Sequence, residues 1–279
     1  MHWRGQYWFQ TYYNAFLRPH HDIGPPRPDL GATTSVMRWQ ESVKLSVVIP
    51  VYNEERTIAQ VIDAVCGVDL EAALGVPLER EIVVVDDGSQ DATRAILARY
   101  ASLPEVQVVL HDCNAGKGAA LRTAFTKVSG DIVIIQDADF EYDPSEYPAL
   151  LEPIVAGRAD VVYGSRLSGG RPQRVYLFWH LVGNRFLTLL TNLLFNSTLS
   201  DMETGYKVFR REVVDSFRLR ENDFRIEPEI TAQVLSNPKL RIYELPIAYY
   251  GRTYEEGKKI TWRDGIKAVV TLIRCRLDL

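Results

Sequence analysis

The chain has 279 residues, 46% of them hydrophobic, and a formal net charge of −4. That is ample for a full core in one large domain, or in one domain with a small appendage, and it leaves no electrostatic footprint for nucleic acid. The three cysteines, Cys66, Cys113 and Cys275, are far apart and form no CxxC pair, and two of the five histidines are the neighbours His20 and His21. This usage reads as reduced thiols of a cytoplasmic protein and gives a zinc site little support.

Residues 1–42 differ from the rest. Trp3, Tyr7, Trp8, Phe9, Tyr12, Tyr13 and Phe16 crowd one end, and a proline-rich run follows. With no aliphatic stretch, this is not a secretory signal. It reads as a flexible extension, including the case of an upstream start before Met37, or as an aromatic arm at a membrane interface, where Trp and Tyr rings are favoured.

From Leu45 onward short apolar runs end abruptly in polar residues. Leu45–Pro50 leads to Tyr52, Asn53 and Glu54, and Glu81–Val85 leads to Asp86, Asp87, Gly88 and Ser89. Nearly continuous β-branched runs predict strands buried on both faces of a parallel sheet. Val106–Leu110 and Asp160–Tyr163 read as further strands. Between them the period becomes helical, at Ile58, Val61, Ile62 and Val65 and again at Leu121, Ala124, Phe125 and Val128. Ser89 is placed as an N-cap with Asp91 in the first turn. The alternation predicts an α/β fold, a doubly wound, mostly parallel sheet with helices on both faces.

The run Asp131–Pro144 carries the most chemistry. An apolar strand stops at Asp137, Ala138 and Asp139, with Glu141 two residues on. On an extended chain residues two apart point the same way, so Asp137 and Asp139 would face one cation, with Glu141 as a third ligand. Oxygen-only ligands suit Mg²⁺ or Mn²⁺, which keep positions open for phosphate oxygens. Polar residues gathered at strand carboxyl ends mark the ligand edge of an open α/β sheet.

No segment reaches the roughly 18 uncharged apolar residues of a membrane helix. Val175–Leu199 comes nearest, interrupted by His180, Asn184, Arg185 and Asn192. It reads as a core or partner-packing helix, which leaves a membrane partner protein open, or as a helix lying on a bilayer. Near the end, Ile266, Val269, Val270, Ile273 and Leu277 make an apolar stripe flanked by Lys267, Arg274 and Arg276. Two such amphipathic helices predict attachment to a membrane surface. Glu227-Pro228-Glu229 reads as helix initiation with Pro at N1.

Pro50-Val51-Tyr52-Asn53-Glu54, Asp86-Asp87-Gly88-Ser89, Asn114-Ala115-Gly116-Lys117-Gly118, Asp137-Ala138-Asp139, Gly164-Ser165-Arg166 and Asp201-Met202-Glu203-Thr204-Gly205-Tyr206 stand in the order seen in family 2 glycosyltransferases. Over residues 44 to the end the chain resembles the dolichol-phosphate mannose synthase group. The resemblance implies a GT-A fold. Residues 43–166 would hold the nucleotide sugar and residues 167–279 the acceptor, through amphipathic helices. It implies that Pro50, Tyr52 and Glu54 flank base and ribose with Asp86 or Asp87, and that Lys117, Asp137 and Ala138 meet the rest of the donor. Lys117 lies between two glycines in what resembles a phosphate-cradling loop, although neither a Walker A nor a GxGxxG pattern is present.

The implied reaction is metal-dependent, inverting transfer of a hexose from GDP-mannose or a UDP-sugar to a polyprenyl or dolichyl phosphate, at the cytoplasmic face of a membrane. Asp139, Arg166 and Asp201 are its candidate catalytic residues, with Mg²⁺ or Mn²⁺ as cofactor. Arg210, Arg252, Lys258 and Lys259 are candidates for the acceptor phosphate. The alternatives are a family 2 transferase acting on a saccharide hydroxyl, with Asp201 as base, and a sugar-nucleotide-binding scaffold that has lost catalysis. Asp201 could also cap a helix leading toward Lys207.

Overall fold

The apolar runs of the sequence become the centre of one seven-stranded sheet. The computed structural model describes residues 42–175, 178–252 and 262–277. The N-terminal extension, apart from Ser42, and Lys258 and Lys259 lie outside the described residues, so the readings placed on them stay as expectations.

Strands β1 (Val43–Val51), β2 (Leu78–Asp86), β3 (Val106–Leu110) and β4 (Ile132–Ile135) are joined by parallel pairings in the order β3-β2-β1-β4. β1 therefore has β2 on one side and β4 on the other, and the strand order reverses between β1 and β4. That is the switch point where ligands bind outside the carboxyl ends of strands. Beyond β4 the order continues with β6 (Lys207–Arg210), β5 (Val161–Ser165) and β7 (Ile242–Pro246). β6 runs antiparallel to both β4 and β5, while β7 is parallel to β5.

Both faces of the sheet are covered. Leu45, Val47 and Ile49 pack with Ile58, Val61, Ile62 and Val65 of α1 (Ile58–Gly67) and Leu150 and Leu151 of α5 (Tyr147–Val155). Val48, Val83 and Val85 point the other way, onto Ala120, Leu121 and Ala124 of α4 (Lys117–Phe125) and Ile230 of α8 (Ile226–Ser236). Alternate residues of one strand serving two cores is what a strand buried on both faces requires. The remaining helices are α2 (Leu70–Leu74), α3 (Thr93–Tyr100), α6 (Phe178–Phe195), α7 (Arg211–Ser216) and α9 (Trp262–Arg276).

Several local expectations change. The helix after Asp87 begins at Thr93, where Asp91 Oδ1 accepts from the Thr93 N–H at 2.9 Å. Ser89 is not its cap; its Oγ accepts from the Asn53 N–H at 2.9 Å and ties β1's loop to β2's. Pro228 stands third in α8, not first. Asp201 caps no helix, because Lys207 opens a strand.

Helices α6 and α9 pack together over Leu187, Met202, Ala268 and Leu272. Their other sides remain apolar and exposed: Phe178, Trp179, Val182, Phe186, Leu189 and Leu193 on α6, and Ile266, Val270 and Ile273 on α9 with Leu277 just past its end. The spacings of four and three residues put each set on one face of its helix. Val269, expected in that stripe, packs instead on the α6–α9 core. The flanking basic residues are also engaged. Arg274 Nη2 pairs with Glu221 at 2.5 Å, Arg276 Nε donates to the Leu194 carbonyl at 2.8 Å, and Lys267 lies 3.4 Å from Asp264. Arg274 and Arg276 fasten α9 to its neighbours, whereas the Lys267–Asp264 pair lies within α9. Among the described residues no helix is long and apolar enough to cross a membrane.

Candidate active site

The carboxyl ends of β1, β2 and β4 open into a cavity of about 1140 Å³. Its lining includes Pro50, Tyr52, Glu54 and Asp87 from the first two strand ends, then Lys117, Asp137, Ala138, Asp139, Glu141 and Arg166. The same cavity is lined by Trp179, Phe186 and Leu187 of α6 and by Ile266 and Val269 of α9.

The carboxylates of Asp86, which ends β2, and of Asp87, just past it, both brace neighbouring loops. Asp86 is fully buried and is not part of the lining; its Oδ2 accepts from Arg94 Nε at 2.7 Å and from the Ser89 N–H at 3.2 Å. Asp87 accepts from the N–H groups of Ala115 (3.0 Å) and Gly116 (2.7 Å) and faces His111 Nδ1 at 2.8 Å. It thereby shapes the Asn114–Gly118 loop.

That loop differs from a phosphate cradle. Two of its N–H groups go to Asp87, and the Ala119 N–H goes to the Asn222 carbonyl at 3.0 Å. A Cβ on Gly116 would stand 2.4 Å from the Asn222 carbonyl oxygen, and one on Gly118 2.4 Å from that of Glu221. These glycines admit the 221–223 segment against the start of α4. The loop's charged group is the Lys117 ammonium, 2.7 Å from Asp137 Oδ1 and 2.8 Å from Glu227 Oε1. Burial pulls this ammonium down, but Asp137 and Glu227 more than offset it and hold it above the ordinary lysine range.

Glu227 was legible only as a helix-start acid. It is buried, and its second oxygen meets the fully buried Lys207 ammonium at 2.5 Å. Lys207 also donates to the Thr204 carbonyl. One carboxylate thus holds two lysines from different elements, and no local pattern in the sequence reports such a pairing.

Asp137-Ala138-Asp139 is not extended. β4 stops at Ile135, the segment is a turn, and Phe140 has φ of +59°. The two carboxylates consequently find separate partners: Asp137 takes Lys117, and Asp139 lies 3.2 Å from Arg252 Nη2. Beneath them Gln136 is fully buried, accepting from the hydroxyls of Tyr147 and Tyr206, both at 2.7 Å, and donating to the Asp137 carbonyl at 3.0 Å. Glu141 is committed elsewhere; it accepts from the Tyr249 hydroxyl and from the Arg252 N–H, both at 2.6 Å. Among the described residues no three His, Cys, Asp or Glu side chains form a metal-holding group. The expected set of Asp137, Asp139 and Glu141 therefore does not stand as a ready three-carboxylate group: Asp137 is paired with Lys117, and the Arg252 guanidinium lies against both Asp139 and Glu141.

Two carboxylates still fit a hard divalent ion. Mg²⁺-type sites commonly use one or two carboxylates and complete their shell with phosphate oxygens and water. Burial first, then Asp137 and Glu141, push the Asp139 carboxyl up to about 7, so this corner is short of positive charge. The Arg252 guanidinium stands in that corner, with both Nη atoms on Glu54 at 3.0 and 3.1 Å and one facing Asp139. Arg252, expected at the acceptor phosphate, is paired with Glu54 and Asp139, two residues expected at the donor.

Arg210, the other acceptor candidate within the described residues, is far from the cavity. β6 is antiparallel, so Arg210 pairs in register with Ile132 at the start of β4 and lies 3.4 Å from Asp160. It sits at the opposite edge of the sheet.

Arg166 and Asp201 form a closed pair. Arg166 Nε and Nη2 meet the two Asp201 oxygens at 2.7 and 2.8 Å, the Arg166 N–H adds a bond at 3.0 Å, and Asn184 Nδ2 a further one at 3.1 Å. Asp201 is fully buried and is absent from the cavity lining, whereas Arg166 is part of it and lies over the Tyr249 ring. Burial alone would raise the Asp201 carboxyl, but Arg166 outweighs it and holds the group below the ordinary carboxylate range. A proton acceptor needs an accessible oxygen with a pKa near the working pH. Asp201 has neither; its oxygens hold the Arg166 guanidinium in place.

Gly205 sets the depth of the site. A Cβ there would stand 2.2 Å from Asp137 Oδ2. Gly205→Ala is expected to push Asp137 off Lys117, lowering turnover at least about tenfold and costing about 1–3 kcal/mol of stability. Steady-state rates and chemical denaturation check this; wild-type turnover in the variant would contradict the placement of Asp137.

The model of glycosyl transferase family 2 matches residues 46–218, which is more than half of the chain. The chain belongs to glycosyl transferase family 2. Its relatives include the low-salt glycan biosynthesis hexosyltransferase of Haloferax volcanii, 34% identical over 76% of this chain and 49% of that one. The dolichol-phosphate mannosyltransferase of Pyrococcus furiosus is 28% identical over 77% of this chain and 59% of that one. The chain thus spans about half to three fifths of these relatives' lengths. Among solved structures, glucosyl-3-phosphoglycerate synthase from Mycobacterium tuberculosis, in complex with Mn²⁺, UDP and phosphoglyceric acid, superposes with a TM-score of 0.65. It is 22% identical, and the match covers 84% of this chain and 78% of that one. This family 2 chain shares the GT-A fold of that enzyme.

Proposed function

We propose that this family 2 chain transfers a hexose from a nucleotide sugar to a polyprenyl phosphate, with inversion and a divalent cation, at a membrane surface. One observation carries the reading: the cavity that holds Lys117, Asp137, Asp139 and Arg166 is also lined by the apolar side chains of α6 and α9. A charged donor and an acceptor with a hydrocarbon tail need such a junction. The relative named dolichol-phosphate mannosyltransferase supports the acceptor class, and the Mn²⁺ and UDP bound by the structural neighbour support the donor and cation.

Tyr52, Pro50 and Glu54 would flank the nucleoside. Lys117 presents a permanently charged ammonium to the diphosphate, and Asp137 fixes its direction. Asp137 and Asp139 would hold the cation, which, when bound, offsets the charge that builds on the departing diphosphate. Arg166, locked by Asp201 through Nε and Nη2, would offer its remaining N–H groups to the acceptor phosphate. That phosphate is already ionised near neutral pH and needs no base, which agrees with the buried, paired state of Asp201. The saccharide-hydroxyl alternative needs Asp201 as base and loses its support here. Intact Asp137, Asp139, Lys117 and Arg166 speak against an inactive scaffold. Nothing among the described residues supports a membrane partner protein, and the proposal includes none.

The membrane part is tested by flotation with anionic vesicles containing polyprenyl phosphate. The intact chain is expected to float, and Val270→Glu with Ile273→Glu, which alter two exposed apolar side chains, should weaken partition at least about tenfold. A variant that floats as well as the parent would take the anchoring role away from α9.

A further inference from the structure

The 201–206 turn carries a side chain that the reaction as described does not use. The turn is pinned along its length. Asp201 is locked to Arg166, and the Ser200 and Asp201 N–H groups donate to Glu244. The Met202 N–H donates to Thr188 Oγ1 at 3.1 Å, and the Gly205 N–H to the Tyr142 hydroxyl at 2.9 Å. Between these fixed points Glu203 lines the cavity, on a stretch whose two ends touch Arg166 and Asp137. Its Oε1 is buried without a hydrogen-bond partner among the described residues. An unpartnered buried carboxyl oxygen in a rigid segment calls for an explanation beyond packing.

The neighbouring charges say what the partner is. The nearby cations are already committed, Lys207 to Glu227 and the Thr204 carbonyl, and Arg166 to Asp201. Glu227 and Asp201 on either side repel a second anion, so a phosphate is the wrong ligand for this position. Burial and Glu227 push the Glu203 carboxyl up to about 7, while Lys207 and Arg166 pull against them. What remains is a neutral hydroxyl donor, held between the diphosphate-facing Asp137 and the Arg166 guanidinium. In the proposed reaction that is where the transferred sugar must lie. Resting on that reading, we infer that Glu203 is a specificity-determining residue that accepts a hydrogen bond from a hydroxyl of the donor hexose.

Sites built around a sugar hydroxyl discriminate sharply against analogues that lack it, since the protein group is then left unpaired. The test is calorimetric titration of the full chain with UDP, GDP, UDP-glucose and GDP-mannose in the presence of Mn²⁺, for the parent, Glu203→Gln and Glu203→Ala. The ratio of nucleotide-sugar to nucleoside-diphosphate affinity should fall at least about tenfold in Glu203→Ala and less in Glu203→Gln, with nucleoside-diphosphate affinity nearly unchanged. Among singly deoxygenated donor sugars, one should bind the parent as weakly as the full sugar binds Glu203→Ala, and lose nothing further in the variant. An unchanged ratio, or equal loss for diphosphate and sugar, would overturn the inference and leave the proposed function standing. A parent chain that binds neither nucleotide would overturn both.

Discussion

Asp139→Ala should lower kcat at saturating donor by about a thousandfold or more, which corresponds to ~4 kcal/mol of lost transition-state stabilisation. The fold should survive the change. Asp139 is crowded by Asp137 and Glu141, so its carboxylate is a local electrostatic burden. Its partner Arg252 keeps both bonds to Glu54 when Asp139 is gone. Thermal melting is therefore expected within a few degrees of the parent, or slightly above it. Initial rates across a Mn²⁺ and Mg²⁺ titration, with a chelator control, measure the effect. Full turnover in the variant, or in excess chelator, would remove the cation from the account.

Asp201→Asn is expected to act on stability as much as on rate. It leaves the Arg166 guanidinium partly buried and uncompensated, a change that typically costs ~3–5 kcal/mol. At about 2–4 °C per kcal/mol for a chain of this size, melting should fall by roughly 10 °C. The folded Asp201 carboxyl sits below its ordinary value. Its stabilisation is therefore complete above the unfolded value of about 3.9 and is lost as pH falls through the folded one. The stability gap between parent and variant should be flat from pH 5 to 8 and close only in acid. The rate should drop because Arg166 is misdirected, while the shape of the pH–rate profile persists. Loss of an acidic limb in the variant would instead return Asp201 to the role of base.

The strands most legible in the sequence were β1, β2, β4 and β5, whose continuous apolar runs are the trace of burial on both faces, whereas β3 showed through its β-branched residues although much of it is exposed. β6 and β7 left none. β6 is four residues long and opens with the buried Lys207, and β7 has no fully buried residue. Missing the antiparallel β6 is what misplaced Arg210, since reversing one strand sends its last residue to the far edge. The strand-end motifs pointed to the correct edge, and Tyr52, Lys117, Asp137, Asp139 and Arg166 do line one cavity. Their partners were hidden. Asp87 bracing the Lys117 loop, Glu227 joining two lysines and Arg252 crossing to Glu54 all pair residues remote in sequence, which neither periodicity nor local motif encodes. The turn at Asp137 was missed for a different reason. The i, i+2 geometry of a strand was extended past Ile135, where the chain has already left the sheet.

On the proposed reading one cavity brings a nucleotide sugar to a lipid phosphate. The most direct measurement incubates the full chain with Mn²⁺, a panel of nucleotide sugars and polyprenyl phosphate in vesicles, and identifies products by mass. One donor is expected to give a polyprenyl-phosphate hexose of inverted anomeric configuration, with release of the nucleoside diphosphate and no product from Asp139→Ala. Transfer only to a saccharide hydroxyl, or a polyprenyl-phosphate hexose of retained configuration, would contradict it.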